Sequence, residues 1–179
     1  MTERVQHAID IFLDSLNNNT LISGSCIACA VGNLVADAFG VNLTPKRTED
    51  QAILVEADNY NPKELDHKNI TVWSKFFMTD GSGIQTLNFD GSGLSPSAHK
   101  AMDTICKKTG FTIKELAVIE HAFETNCKDE SIMCYWPDEL KQAEYIKGLT
   151  AVVKVMMEFD NVQEEVEEVF TKKAKAIYA

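Results

Sequence analysis

The sequence predicts an all-α domain of about six helices, bundle-like, with an irregular insertion at about 41–94 and at most one short hairpin. Three observations carry this. Apolar residues recur at helical spacing on both sides of residues 41–94. Helix caps stand where those stripes begin and end. Gly and Pro punctuate the middle of the chain, where the periodicity fades. At 179 residues and 45% hydrophobic content, residues 1–179 suit a single domain with a full core.

The first helix follows from Val5, Ile9, Phe12, Leu13 and Leu16, one apolar stripe opposite Asp10 and Asp14. Asn17, Asn18 and Asn19 end it. Ser25 is a good N-cap for a second helix running to Phe39, and Gly40 suits the left-handed position just past its end. Ile27, Val31, Leu34, Val35 and Ala38 form its stripe, while Cys26, Cys29, Ala30 and Ala36 leave little polar surface on the other side. That is the pattern of a central helix contacted from several directions. In the insertion, Pro45, Pro62 and two Asp-Gly-Ser-Gly turns at 80–83 and 90–93 interrupt the chain. Thr71 there caps a short helix carrying Val72, Trp73, Phe76 and Phe77, and Ile84 to Phe89 alternates as a short strand.

Regular helices return at Ser95 and Pro96, an N-cap followed by a proline at the first helical position, with Ala98, Met102 and Ile105 facing inward until Gly110. Thr112 and Glu115 form a capping box, and Phe111 can staple onto Leu116, which nearly dictates a helix from Ile113 to about Asn126. Pro137, Asp138 and Glu139 open a longer helix whose later part, Leu149 to Phe159, is apolar on more than one side. Asp160 and Gln163 repeat the capping-box spacing for a last helix with Val162, Val166, Val169, Phe170, Ala174 and Ile177 as its inner face.

Charge and composition exclude several functions. Acidic residues outnumber basic ones 27 to 17, for a net charge of -10, which disfavours nonspecific binding to nucleic acid. No run of 18 apolar residues spans a membrane, and Glu3, Arg4, Asp10 and Asp14 break any signal-peptide core, so a cytoplasmic protein is expected. Five cysteines, an odd count in a chain this long, read as reduced thiols.

The sharpest chemical motif is Cys26-Ile27-Ala28-Cys29 at the opening of the second helix, where backbone N–H groups and the helix dipole stabilise a thiolate. Cys26 would be the nucleophile and Cys29 the resolving thiol. The motif lacks the preceding strand of a thioredoxin-like unit, and cysteine is a common core residue, so packing is the favoured reading. Zinc would need two further ligands from Cys106, His121, Cys127 and Cys134, and Cys127 and Cys134 lack knuckle spacing. Cys26, Cys29, Asn33 and Asp37 share one stripe and could line a polar cleft. The simpler reading has Asn33 satisfying neighbouring backbone and Asp37 reaching solvent. Glu120 falls close to the apolar face of Leu116, Ile119 and Phe123, either as an acid-base group or, the favoured reading, as a structural anchor for backbone N–H groups or for an arginine such as Arg4 or Arg47. His121 and Glu124 are expected to meet solvent. Asp80 and Asp90 lack the acidic ladder of a calcium loop, and no P-loop, dinucleotide fingerprint or hydrolase elbow is present.

The stretch Gly24 to Ala36, with its CxxCAVGNLVA string, together with Gly110 to Ala117 and Gly148 to Val155, resembles small proteins encoded by Bacteroidetes and their phages. The resemblance implies a phage or mobile-element setting, hence a virion as the alternative location, and no particular activity. The expected role is therefore non-enzymatic and needs no cofactor: contact with a protein partner or a second copy, the insertion supplying the surface. The alternatives are a thiol-redox or zinc protein, and a small-ligand binder. The last would use Asn33, Asp37 and Glu120 as polar contacts and stack a nucleotide base on Trp73 or Trp136, although Arg4 and Arg47 are the only arginines available to an anion.

Overall fold

The computed structural model describes residues 1–24, 28–38, 40 and 96–179, with the backbone alone for 96–102. The insertion, with its expected short helix, strand and turns, lies outside the described residues. Among those described, all regular structure is helical: α1 Glu3–Asn17, α2 Ala30–Ala38, α3 Pro96–Thr109, α4 Ile113–Asn126, the single turn α5 Glu130–Met133, α6 Asp138–Phe159 and α7 Lys172–Ile177. None of these helices is long and apolar enough to cross a membrane.

Helix α1 buries Val5, Ala8, Ile9, Phe12 and Leu16, and it ends as the asparagines foretell. Asn19 adopts a left-handed φ of 53°, and the next residue, Thr20, donates its N–H to the Ser15 carbonyl at 3.0 Å. Helix α2 departs from expectation at its start. It begins at Ala30 rather than near Ser25, with Ala28 and Cys29 in a turn before it. Its exit matches: Gly40 has φ 66°. Val31, Leu34 and Val35 are buried, as are Ala30 and Ala36, so the helix is central.

Helices α4 and α6 form the most extensive pairing. The capping box is present, with Thr112 Oγ1 accepting from the Glu115 N–H at 3.2 Å and Glu115 Oε2 accepting from the Thr112 N–H at 2.7 Å. Gly148 faces α4, where an added Cβ would lie 2.8 Å from Cys127 Cβ and 3.0 Å from the Phe123 ring. One turn earlier Tyr145 stacks on Phe123, ring centroids 6.4 Å apart. Helix α1 packs across α6, α2 and α7, and α2 touches α3 and α4.

The capping box expected at Asp160 and Gln163 is absent. Asp160 instead ends α6, and the following helix opens at Val166 with a π-helical turn, Glu167–Thr171, that runs into α7. This wider turn brings both Phe170 and Thr171 inside, where the Thr171 hydroxyl meets Thr150 at 3.1 Å. Val162, Val166, Val169 and Ile177 pack against the core as the stripe predicts.

Asp160 is diverted by Arg4. Arg4 Nε donates to both Asp160 oxygens at 3.0 Å, and Nη2 also binds this carboxylate. Nη1 reaches the Gly110 carbonyl at 2.8 Å, and Nη1 and Nη2 bind the two oxygens of Glu115 at 3.2 and 3.0 Å. The guanidinium lies 4.8 Å from the Phe111 ring centroid. Arg4 is thus committed to Asp160 and Glu115 and not to Glu120, and Arg47, the other expected anchor, lies outside the described residues.

The bonds to Arg4 hold the Asp160 carboxyl below its usual range. For Glu115, burial pushes upward but Arg4 and Thr112 outweigh it, so the net direction is also down. Lowered carboxylates contribute stability above the unfolded range, about pH 4, and lose it as pH falls through their folded values. Replacing Arg4 by Ala should therefore cost about 1–3 kcal/mol at neutral pH and flatten the acid limb of the stability curve. Chemical denaturation from pH 7 down to pH 2 checks both.

Candidate functional site

The polar residues singled out on α2 separate in space. Asn33 is 5% exposed and fully engaged. Its Nδ2 donates to the carbonyls of Ala28 at 2.9 Å, Cys29 at 3.0 Å and Thr20 at 3.4 Å, and its Oδ1 accepts from the Thr20 hydroxyl at 2.8 Å. It closes the loop between α1 and α2 on itself. Asp37, one helical turn later, is exposed and meets His7 at 3.0 Å. The pocket that Asp37 lines beside α1 does not include Asn33.

Cys29 stands where an N-cap serine would, its Sγ accepting from the Gly32 N–H at 3.4 Å. The helix terminus alone would favour a thiolate. Burial dominates instead: the side chain is inaccessible, and the carboxylates of Glu120 and Glu124 add to the effect, pushing the thiol well up. This is the reverse of the environment expected for an activated thiol. Cys26 lies outside the described residues, as does Trp73.

The remaining thiols are dispersed. Cys127 is buried beneath Gly148, Cys106 is half-buried with its pKa pushed up to about 11 by burial, and Cys134 is exposed. Among the described residues no three His, Cys, Asp or Glu side chains are grouped to hold a metal ion.

Glu120 is 4% exposed, on the face of α4 toward the Cys29 loop. Glu124, one turn on, is not the solvent residue expected. Its Oε1 accepts the Gly24 N–H at 3.3 Å, and burial, reinforced by Asp129, pushes its carboxyl up. The loop is fastened here from several sides. Ser23 accepts from the Glu130 N–H at 3.1 Å, and at Gly24, with φ 81°, a Cβ would sit 2.1 Å from Asp129 Oδ2. The pairing of Gly24 with Glu124 had no local signal, because a hundred residues separate them.

Two surface features stand out among the described residues. A groove of about 610 Å³ between α1 and the end of α3 is lined by side chains of both signs, among them Glu3, Asp10, Lys107 and Lys108. At the turn from α5 into α6, Ile132 is 54%, Tyr135 93% and Leu140 53% exposed, while Met133 between them is buried and Trp136 half-buried. The string Tyr135-Trp136-Pro137 was the available signal for this corner, since two aromatics in a polar connection need either a core or a partner. Comparison of the chain with family models, with curated proteins and with solved structures returned no match.

Two outcomes follow. Asn33→Ala should leave several carbonyls of the α1–α2 loop unpaired and cost about 1–3 kcal/mol, read by thermal or chemical denaturation. Glu124, with a folded pKa above its unfolded value of about 4.3, should add stability as pH falls through the folded pKa, levelling off below the unfolded one. Glu124→Gln should accordingly raise the melting temperature at pH 7 and shrink the gain on acidification to pH 5. A lower melting temperature at pH 7 would mean that the ionised carboxylate is needed.

Proposed function

We propose that this chain is a non-enzymatic helical protein acting through macromolecular contact, as a phage accessory or virion-associated component in keeping with the resemblance of its Gly24 to Ala36 stretch. One observation supports this above the others: Ile132, Tyr135 and Leu140, close together in the sequence, are each exposed on a segment whose neighbours Met133 and Tyr145 are buried. Exposed large apolar side chains on one short segment suit a contact surface, and tyrosine is enriched at the centres of such surfaces. The buried, disfavoured Cys29 thiol weighs against a disulfide-exchange role for the Cys26–Cys29 pair.

The test is native mass spectrometry of the protein isolated from its own host, beside the double variant Ile132→Asp, Leu140→Asp. A partner or second copy should accompany the wild type and be lost from the variant. The melting temperature should change little, because both side chains are exposed. A wild type that is monomeric throughout would overturn the reading.

A further inference from the structure

The surroundings of the α5–α6 corner select its partner. Tyr135 stands almost wholly in solvent, and Asp138 and Glu139, in the first turn of α6, are exposed carboxylates whose side chains make no hydrogen bond or ion pair with the described residues. Asp129 is exposed too, turned back onto Ser131, and Glu130 accepts from the Tyr145 hydroxyl. The two bases of the same stretch are Lys128 and Lys141, and Lys141 Nζ is directed to the Cys134 carbonyl at 3.4 Å. Four acids against two bases leave the corner negative, on a chain whose net charge is already -10.

An aromatic face attracts a cation through its quadrupole, and a carboxylate binds one through charge-assisted hydrogen bonds. Arginine and lysine combine such a head with a long apolar stem, which suits the exposed aliphatic surface of Ile132 and Leu140. An acidic partner, or a second copy of this chain, would set like charges against Asp138 and Glu139. Resting on the contact reading above, we infer that the α5–α6 corner docks an amphipathic, arginine- or lysine-bearing segment of a basic protein.

The probe is a short capped peptide of alternating Arg and Leu, with a Glu and Leu peptide of equal length as control, titrated calorimetrically into the full chain. The Arg peptide should bind and the Glu peptide should not. Tyr135→Ala should weaken binding about fivefold, the scale of an exposed cation–aromatic contact. Asp138→Asn with Glu139→Gln should weaken it further and reduce its salt dependence. Glu167→Gln with Glu168→Gln, which removes the same charge on the π-helical turn, should leave binding unchanged. Equal loss from both charge pairs, or no loss from Tyr135→Ala, would overturn the inference, since attraction would then be diffuse. A chain that ignores the Arg peptide but forms a dimer dissolved by Tyr135→Ala would overturn the cationic partner and leave the contact reading standing. A monomer that binds neither peptide and has no partner in its host would overturn both.

Discussion

The Arg4 guanidinium is the interaction on which the arrangement of the helices most depends. It joins the start of α1, the Gly110 carbonyl just past α3, the capping carboxylate of α4 and Asp160 at the C-cap of α6, from one side chain. Few residues other than arginine can do this, because the planar fork offers five donors in fixed directions and keeps its charge. Phe111 beneath it completes the site, at once a core residue and a face for the cation. Local surface pairs such as Lys175 with Glu167 and Lys172 with Glu168 are exposed and contribute little by comparison.

That hub also explains what could be read from the sequence. Signals that act within a turn or two held: the Thr112–Glu115 box, the asparagine exit of α1, the proline entry to α6 and the glycines at 40 and 110. The stripe of α1 identified its buried face. Misreadings came where a distant residue claimed a local signal. Asp160 has the spacing of a cap, yet Arg4 outbids its own backbone, and Gln163 is left to bond the Asn161 carbonyl. At the late start of α2, Asn33 is shared between the nearby Ala28 and Cys29 carbonyls and the more distant Thr20. Glu124 looked solvated on its own helix and is covered by Gly24 from another part of the chain.

Among the described residues, buried Thr20, Ser23 and Asn33 of the α1–α2 loop and its helix stand on the side where α4 carries buried Glu120, while Thr171 is buried elsewhere, against Thr150. Asn33 rigidifies that loop, while Glu120 and Glu124 impose a negative field on the thiol it carries. The two effects together make Cys29 a packing and capping residue. A capping sulfur is a weak acceptor, but it fills an apolar volume that a serine hydroxyl would leave poorly packed.

The missing side chain at Gly148 lets α6 lie directly against Cys127 and Phe123 of α4, and the α5 turn spans the link between these two helices. Met133 enters the core beneath the turn, and Tyr145 reaches up to Glu130. The backbone bearing Ile132, Tyr135 and Leu140 is therefore held from below before anything touches it. A partner seated on that surface would order this chain's side chains and not its main chain, so the main-chain share of the association entropy would already be spent in folding.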